Sequence, residues 1–236
     1  MADQPTTAVS RSELEVSIPP VALPGTLRIP HGARAIVVFA HGSGSSRFSP
    51  RNRAVANALN SEGFATLLFD LLTPTEESDR ANVFDIGLLA ERLVDAVHWI
   101  DRDAPTRGYP LGLFGASTGA AAALVAAARL GGRVGAVVSR GGRPDLAGDA
   151  LERICTPTLL IVGGADEVVI ELNEQAFARL NGPKALEIVP GASHLFPEPG
   201  ALEAAIGHAA RWFARYLVAG PAGPTSVPYP ARAPAM

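Results

Sequence analysis

Short, unbroken apolar runs alternate along the chain with stretches of helical period. The runs are Ala35 to Ala40, Ala65 to Asp70, Leu111 to Gly115, Val134 to Ser139, Pro157 to Val162 and Ala185 to Val189, with cores such as IVVFA, TLLF and TLLIV. A strand that buries only one face alternates apolar and polar residues, so runs without alternation predict strands covered on both faces, as in a parallel sheet. Helical stretches are predicted between them, near Arg51–Ser61, Val83–Asp101, Thr118–Leu130, Glu171–Leu180 and Leu202–Val218. In the second of these, Val83, Ile86, Ala90, Leu93, Val97 and Ile100 fall on one stripe while Asp85, Glu91, Arg92 and Asp95 lie elsewhere. Strands alternating with helices imply right-handed crossovers and a doubly wound, mostly parallel sheet flanked by helices. Leu14–Ile18 and Gly25–Ile29 do alternate, and predict an antiparallel hairpin added at the sheet edge.

Size and charge narrow the picture. The chain has 236 residues, 47% of them hydrophobic, which suits one core, expected over residues 1–218. Residues 219–236 are rich in Pro, Ala and Gly and are expected to be a disordered tail. No apolar run is long enough to cross a bilayer, and Met1–Arg11 is polar with no apolar segment ahead of a cleavage site. A net charge of −3 without a basic stripe argues against nucleic acid as a partner. Cys155 is the only cysteine, so there is no intrachain disulfide and no multi-thiolate metal site. The expectation is a cytoplasmic protein with neither membrane nor nucleic-acid partner; the sequence leaves its oligomeric state open.

The sharpest chemical signal is Gly115-Ala116-Ser117-Thr118-Gly119, which follows the apolar run LGLF and opens the small-residue helix TGAAAALVAAA. A serine on so tight a strand-to-helix turn needs neighbours without bulk, and its hydroxyl is left exposed at the carboxyl edge of the sheet. Serine is a poor nucleophile without a base. Of five histidines, His31 precedes the first central strand, His98 and His208 lie within helices, and His41 closes a strand. His194, in the loop Gly191-Ala-Ser-His-Leu-Phe196 after the last strand, reaches the same carboxyl edge as Ser117 and is the candidate base. The third member must hold the imidazole tautomer. Asp166, after the run LLIVGGA, is favoured; Glu167 and Asp145 remain alternatives. His41-Gly42-Ser43-Gly44 follows the strand IVVFA, where a second oxyanion donor is expected, so the backbone N–H groups of Ser43 and Thr118 are the candidate oxyanion hole. His41 is then structural.

With these residues in place, the chain resembles the α/β-hydrolase superfamily, and within it dienelactone-hydrolase-like proteins. The likeness is carried by AHGSGSSR, LLFDLLT, GLFGASTGAAAAL, LLIVGGADEVV and VPGASHLF, and spans about residues 35 to 215. It implies Ser117 as nucleophile, His194 as base and Asp166 as acid. Dienelactone hydrolases use a cysteine nucleophile, whereas Ser117 stands here, and the resemblance therefore implies a serine esterase. No cofactor is expected. The rivals are an acyltransferase, thioesterase or perhydrolase with the same triad, and a non-catalytic binding domain.

Two further expectations concern the substrate. The connection from Ser139 to Pro157 is too short for a large lid domain, which predicts an open cleft and a small or medium soluble ester. Arg140 and Arg143 in that connection, with Arg47 after the oxyanion loop, could grip a substrate anion, or could instead pair with Asp145, Asp149 or Asp70.

Overall fold

A computed structural model describes residues 12–219. The tail expected over 219–236 therefore lies, apart from Ala219, outside the described residues, as does Met1–Arg11. Eight strands form one sheet: β1 (Ser12–Ile18), β2 (Leu23–Ile29), β3 (Ala35–Ala40), β4 (Phe64–Phe69), β5 (Leu111–Ala116), β6 (Val134–Arg140), β7 (Thr158–Gly163) and β8 (Lys184–Val189). Their spatial order is β1-β2-β4-β3-β5-β6-β7-β8. The edge hairpin is antiparallel, β2 runs antiparallel to β4, and every pair from β4 to β8 is parallel. This is the doubly wound sheet that the apolar runs predict, with each expected strand within a residue or two of its place.

The helices are α1 (Pro50–Ser61), α2 (Pro74–Glu77), α3 (Arg80–Val83), α4 (Ile86–Asp103), α5 (Thr118–Leu130), α6 (Glu167–Arg179) and α7 (Ala201–Phe213). Side chains alternate across the sheet. In β3, Ile36, Val38 and Ala40 join the core beneath α4, α5 and α6, while Ala35, Val37 and Phe39 join the core beneath α1 and α7. β3, β4, β5 and β7 are buried at every position, which is why their sequences show no alternation.

Two differences from the sequence reading matter for the site. The stripe begun at Val83 is broken: Asp85 caps the helix start through its side chain to the Leu88 N–H, so α4 begins at Ile86 and Val83 belongs to α3. The segment before it, α2 and α3, is a small two-helix wall between β4 and α4. Thr73 and Glu76 form a capping box at the start of α2, and Arg92 of α4, nearly buried, reaches Glu76 at 2.6 Å. The connection after β6 holds no lid domain, as expected; it is a compact run of 3-10 turns over Pro144–Arg153.

The chain leaves β3 through α1 in one direction and leaves β5 through α5 in the other. In open α/β sheets such a reversal opens a crevice at the carboxyl ends of the two strands. The loops after β3, β5, β6, β7 and β8 all end there.

Candidate active site

Ser117 has φ 52° and ψ −123°, a left-handed conformation that an L-residue other than glycine adopts only under constraint. The constraint is packing between α5 and the sheet. A Cβ on Gly115 would come within 2.4 Å of Ala120 Cα, and one on Gly119 within 2.4 Å of the carbonyl oxygens of Ala40 and His41. Only glycines let helix and strands approach this closely. Ser117 occupies the N-cap position of α5, yet its side chain makes no capping hydrogen bond, so the hydroxyl is not engaged by the helix it precedes.

His194 and Asp166 meet directly, with His194 Nδ1 2.7 Å from Asp166 Oδ2. A carboxylate accepts, so Nδ1 carries the proton and Nε2 is left as the basic nitrogen. Asp166 stands at the N-cap position of α6 without capping it through its side chain, which leaves the carboxylate for the imidazole. Tight contact between the two loops fixes the pair: the Ala165 N–H donates to the Ala192 carbonyl at 2.9 Å, and a Cβ on Gly163 would lie 2.3 Å from that same oxygen. Of the alternative acids, Asp145 is held bidentately by Arg143 at 2.9 and 2.8 Å, and Glu167 lies within the first turn of α6.

The end of β6 joins the Ser117 turn to this pair. Ser117 N–H faces the Arg140 carbonyl at 3.4 Å, and a Cβ on Gly141 would lie 2.8 Å from the His194 carbonyl oxygen. The elbow and the histidine loop thus pack against two consecutive residues.

The loop after β3 is held by a buried imidazole. His41 Nε2 accepts from the Leu71 N–H at 3.1 Å, so its proton sits on Nδ1, which donates to the Gly42 carbonyl at 3.0 Å. Burial lowers the His41 pKa, only partly offset by the Gly42 hydrogen bond and nearby Asp70. This is the structural role expected for His41. Gly42 lies directly over Ser117: a Cβ there would be 2.9 Å from Ser117 Cβ and 3.7 Å from its hydroxyl oxygen. The two candidate oxyanion donors differ: the Ser43 N–H donates to the Thr118 hydroxyl at 2.9 Å, whereas the Thr118 N–H, at the first position of α5, lies among those an α-helix leaves without an intrahelical acceptor. Only the fold, by bringing residue 43 against residue 118, reveals that partner.

Two of the three arginines offered for a substrate anion take the alternative, an ion pair within the chain. Arg143 is committed to Asp145, and Arg47 pairs with Asp70 through both its backbone N–H and its guanidinium. Arg140 has no such partner among the described residues. Sequence reading also missed the pocket wall: a cavity of about 200 Å³ beside Gly42 and Ser43 is bounded by Leu71 and Leu72 from the connection after β4, Val83 of α3 and Leu89 of α4.

An eight-stranded sheet in this order, a strained serine at the β5–α5 elbow, and an Asp–His pair at the same edge define the α/β-hydrolase fold. The comparisons narrow this: the profile of the dienelactone hydrolase family matches residues 23–216, and the chain belongs to that family. It is similar to the crystal structure of a dienelactone hydrolase from Anabaena variabilis, with 55% identity and a TM-score of 0.84 over 89% of this chain and 99% of that one. Proteins from two strains of Mycobacterium tuberculosis, provisionally named phosphoribosyl transferases, are 59% identical over 212 residues, which is 89% of this chain. The chain spans about half (48%) of their length. An esterase from Pyrococcus furiosus shares the fold at 18% identity, with a TM-score of 0.69 over 89% of this chain and 92% of that one. Among the described residues, no helix is long and apolar enough to cross a membrane.

Proposed function

We propose that this chain is a serine hydrolase that cleaves a small or medium ester or lactone through an acyl-enzyme on Ser117. The observation that carries the reading is the 2.7 Å contact between His194 Nδ1 and Asp166, at the sheet edge where Ser117 is held in its strained turn. His194 Nε2 takes the hydroxyl proton as Ser117 Oγ attacks the carbonyl carbon, and the carbonyl electrons move onto oxygen. The Thr118 N–H, at the positive end of α5, stabilises that oxyanion; the Ser43 N–H becomes the second donor when the oxyanion replaces the Thr118 hydroxyl as its acceptor. Collapse expels the alcohol, which takes the proton from His194. Water then adds by the same route and releases the acid. Asp166 keeps its charge throughout and stabilises the imidazolium.

Family membership supports hydrolysis as the reaction class, and the apolar cavity next to Gly42 supports a substrate with a compact hydrocarbon arm. The transferase name of the mycobacterial relatives does not redirect this reading, because the stretch they share with this chain is the one the hydrolase profile matches. The test is turnover of chromogenic esters of graded acyl length by the wild type and Ser117→Ala. The expected loss in kcat is about four orders of magnitude or more; turnover near wild type in Ser117→Ala refutes the proposal.

A further inference from the structure

Ser117, at the end of β5, divides the carboxyl edge of the sheet into two sides. In the strand order β4-β3-β5-β6-β7-β8, the Asp166–His194 pair stands on the loops after β7 and β8. The cavity of about 200 Å³ lies on the other side, beside the loops after β3 and β4. In acyl transfer the histidine returns its proton to the leaving oxygen, so the alcohol arm of an ester lies on the His194 side. The acyl arm is then the one directed into the cavity. A cavity of about 150 Å³ holds benzene, so this one has room for a chain of about six to eight carbons.

The walls of this cavity differ in how they are held. Leu71, Leu72 and Leu89 are buried in the core, whereas Val83 belongs to a stretch, residues 73–88, that contains no buried residue. On the far side of Val83 is a second, open cleft of about 420 Å³, bordered by Arg80 and Phe84. Ser43, Gly44, Glu77 and Val83 border both spaces, and Val83 supplies the apolar side chain of that partition. A stretch with few buried contacts depends on its polar ones. Glu76 collects them. One of its carboxylate oxygens accepts from the Thr73 N–H at 2.9 Å and from the Thr73 hydroxyl at 3.0 Å. The other accepts from Arg92 at 2.6 Å, and the Glu76 carbonyl accepts from the Asn82 side-chain amide at 3.0 Å. Arg92 is nearly buried on α4, so it ties the partition to the core, and Asn82 directly precedes Val83. Arg92 thus sets where Val83 stands, through Glu76 and Asn82.

We propose that Val83 limits the length of the acyl arm, and that the Glu76–Arg92 ion pair is a positioning latch that keeps the inner cavity closed off from the outer cleft. The inference rests on the hydrolase reading and names its substrate class: esters of short to medium apolar acids, up to about six to eight carbons, with the alcohol arm on the open side of the cleft.

The test is kcat/KM for dissolved 4-nitrophenyl esters from acetate through butyrate, hexanoate and octanoate to dodecanoate, each divided by the value for acetate. A methylene that gains or loses its place in an apolar pocket changes kcat/KM by about 10-fold or more. The wild type is expected to peak between butyrate and octanoate and to fall about 10-fold or more by dodecanoate; a series that rises steadily to dodecanoate overturns the proposal. Val83→Phe, which fills the cavity, is expected to move the peak to shorter chains. Val83→Ala, which joins the two spaces, is expected to raise the dodecanoate-to-butyrate ratio about 10-fold or more. Arg92→Met, which keeps the buried stem and removes the ion pair, is expected to move the peak in the same direction as Val83→Ala. Loss of folded protein lowers all esters together and cancels in the ratio, so a merely structural role for Arg92 leaves the peak in place. A peak unmoved in both Val83 variants overturns the size limit, and one unmoved in Arg92→Met overturns the latch. Should Arg92→Met fail to fold, Glu76→Gln, at a partly exposed position, takes its place. A second series holds the acyl group as butyrate and lengthens the alcohol from methyl to octyl, followed by titration of the released acid. Val83 variants that shift this series instead of the acyl series overturn the assignment of the arms. Failure of the hydrolase reading shows separately, as absence of turnover on every ester, and ends both claims.

Discussion

Substituting Gly42 by alanine adds one methyl group where the loop after β3 passes over Ser117. Gly42 does not have a positive φ, so alanine suits its backbone, and the whole effect is steric. The added carbon would lie 2.9 Å from Ser117 Cβ and 3.1 Å from the Ala116 carbonyl oxygen, against an ordinary contact of about 3.5–4 Å. One of the two loops must move by between half an ångström and one ångström. Overpacking of this kind costs about 1–3 kcal/mol, which lowers Tm by about 2–12 °C in a chain of this size. A displacement near 1 Å at the reacting centre costs about 100-fold in rate. Gly32→Ala is the matched control. It lies in the turn before β3, has φ +71° and has nothing within 4 Å of the added carbon, so it costs backbone strain of about 1–2 kcal/mol far from the chemistry. Melting curves and ester kinetics on both variants check the reasoning. Gly42→Ala should lose kcat far out of proportion to its Tm, and Gly32→Ala should lose Tm alone. Equal activity in the two variants at equal Tm would refute the claim that Gly42 sets the position of Ser117.

Two further predictions follow from the site. Asp166→Asn should lower kcat about 10⁴-fold by presenting the wrong tautomer of His194, whereas Glu167→Gln should retain activity within a few-fold; the reverse result in steady-state kinetics would transfer the acid role to Glu167. Burial keeps His41 neutral in the fold below the ordinary imidazole pKa of about 6.5, so the unfolded chain takes up a proton that the folded chain refuses. Stability contributed by neutral His41 is therefore complete above pH 6.5 and falls as pH drops towards its lowered pKa, by up to about 1.4 kcal/mol per pH unit. Denaturant unfolding at pH 7, 6 and 5 should show a shallower decline for His41→Gln than for the wild type, and parallel curves would contradict a His41 pKa lowered by burial.

Much of this architecture is legible in the residues because the physics is local. Strands buried on both faces read as unbroken apolar runs, and the elbow announces itself through Gly115 and Gly119, which sterics demand on either side of Ser117. Asp166 and His194 could be ordered along the chain because each follows a strand at its carboxyl end. What escaped depends on contacts between distant segments. Nothing in the sequence around Ser43 says that its N–H meets the Thr118 hydroxyl. Charge content alone cannot tell that Asp145 and Asp70 neutralise Arg143 and Arg47 while Arg140 is left facing Phe196. The wall formed by α2 and α3 escaped because Val83 continues the period of α4 so well that only the Asp85 cap separates them.

The central claim is that the Ser117 hydroxyl is activated by the Asp166–His194 pair. Treating the protein with a fluorophosphonate and mapping the adduct by peptide mass spectrometry tests it most directly. The account predicts one phosphonylated residue, Ser117, with labelling abolished in Ser117→Ala and slowed at least 100-fold in His194→Ala. A wild-type protein that stays unlabelled, or one modified as quickly without His194, would contradict it.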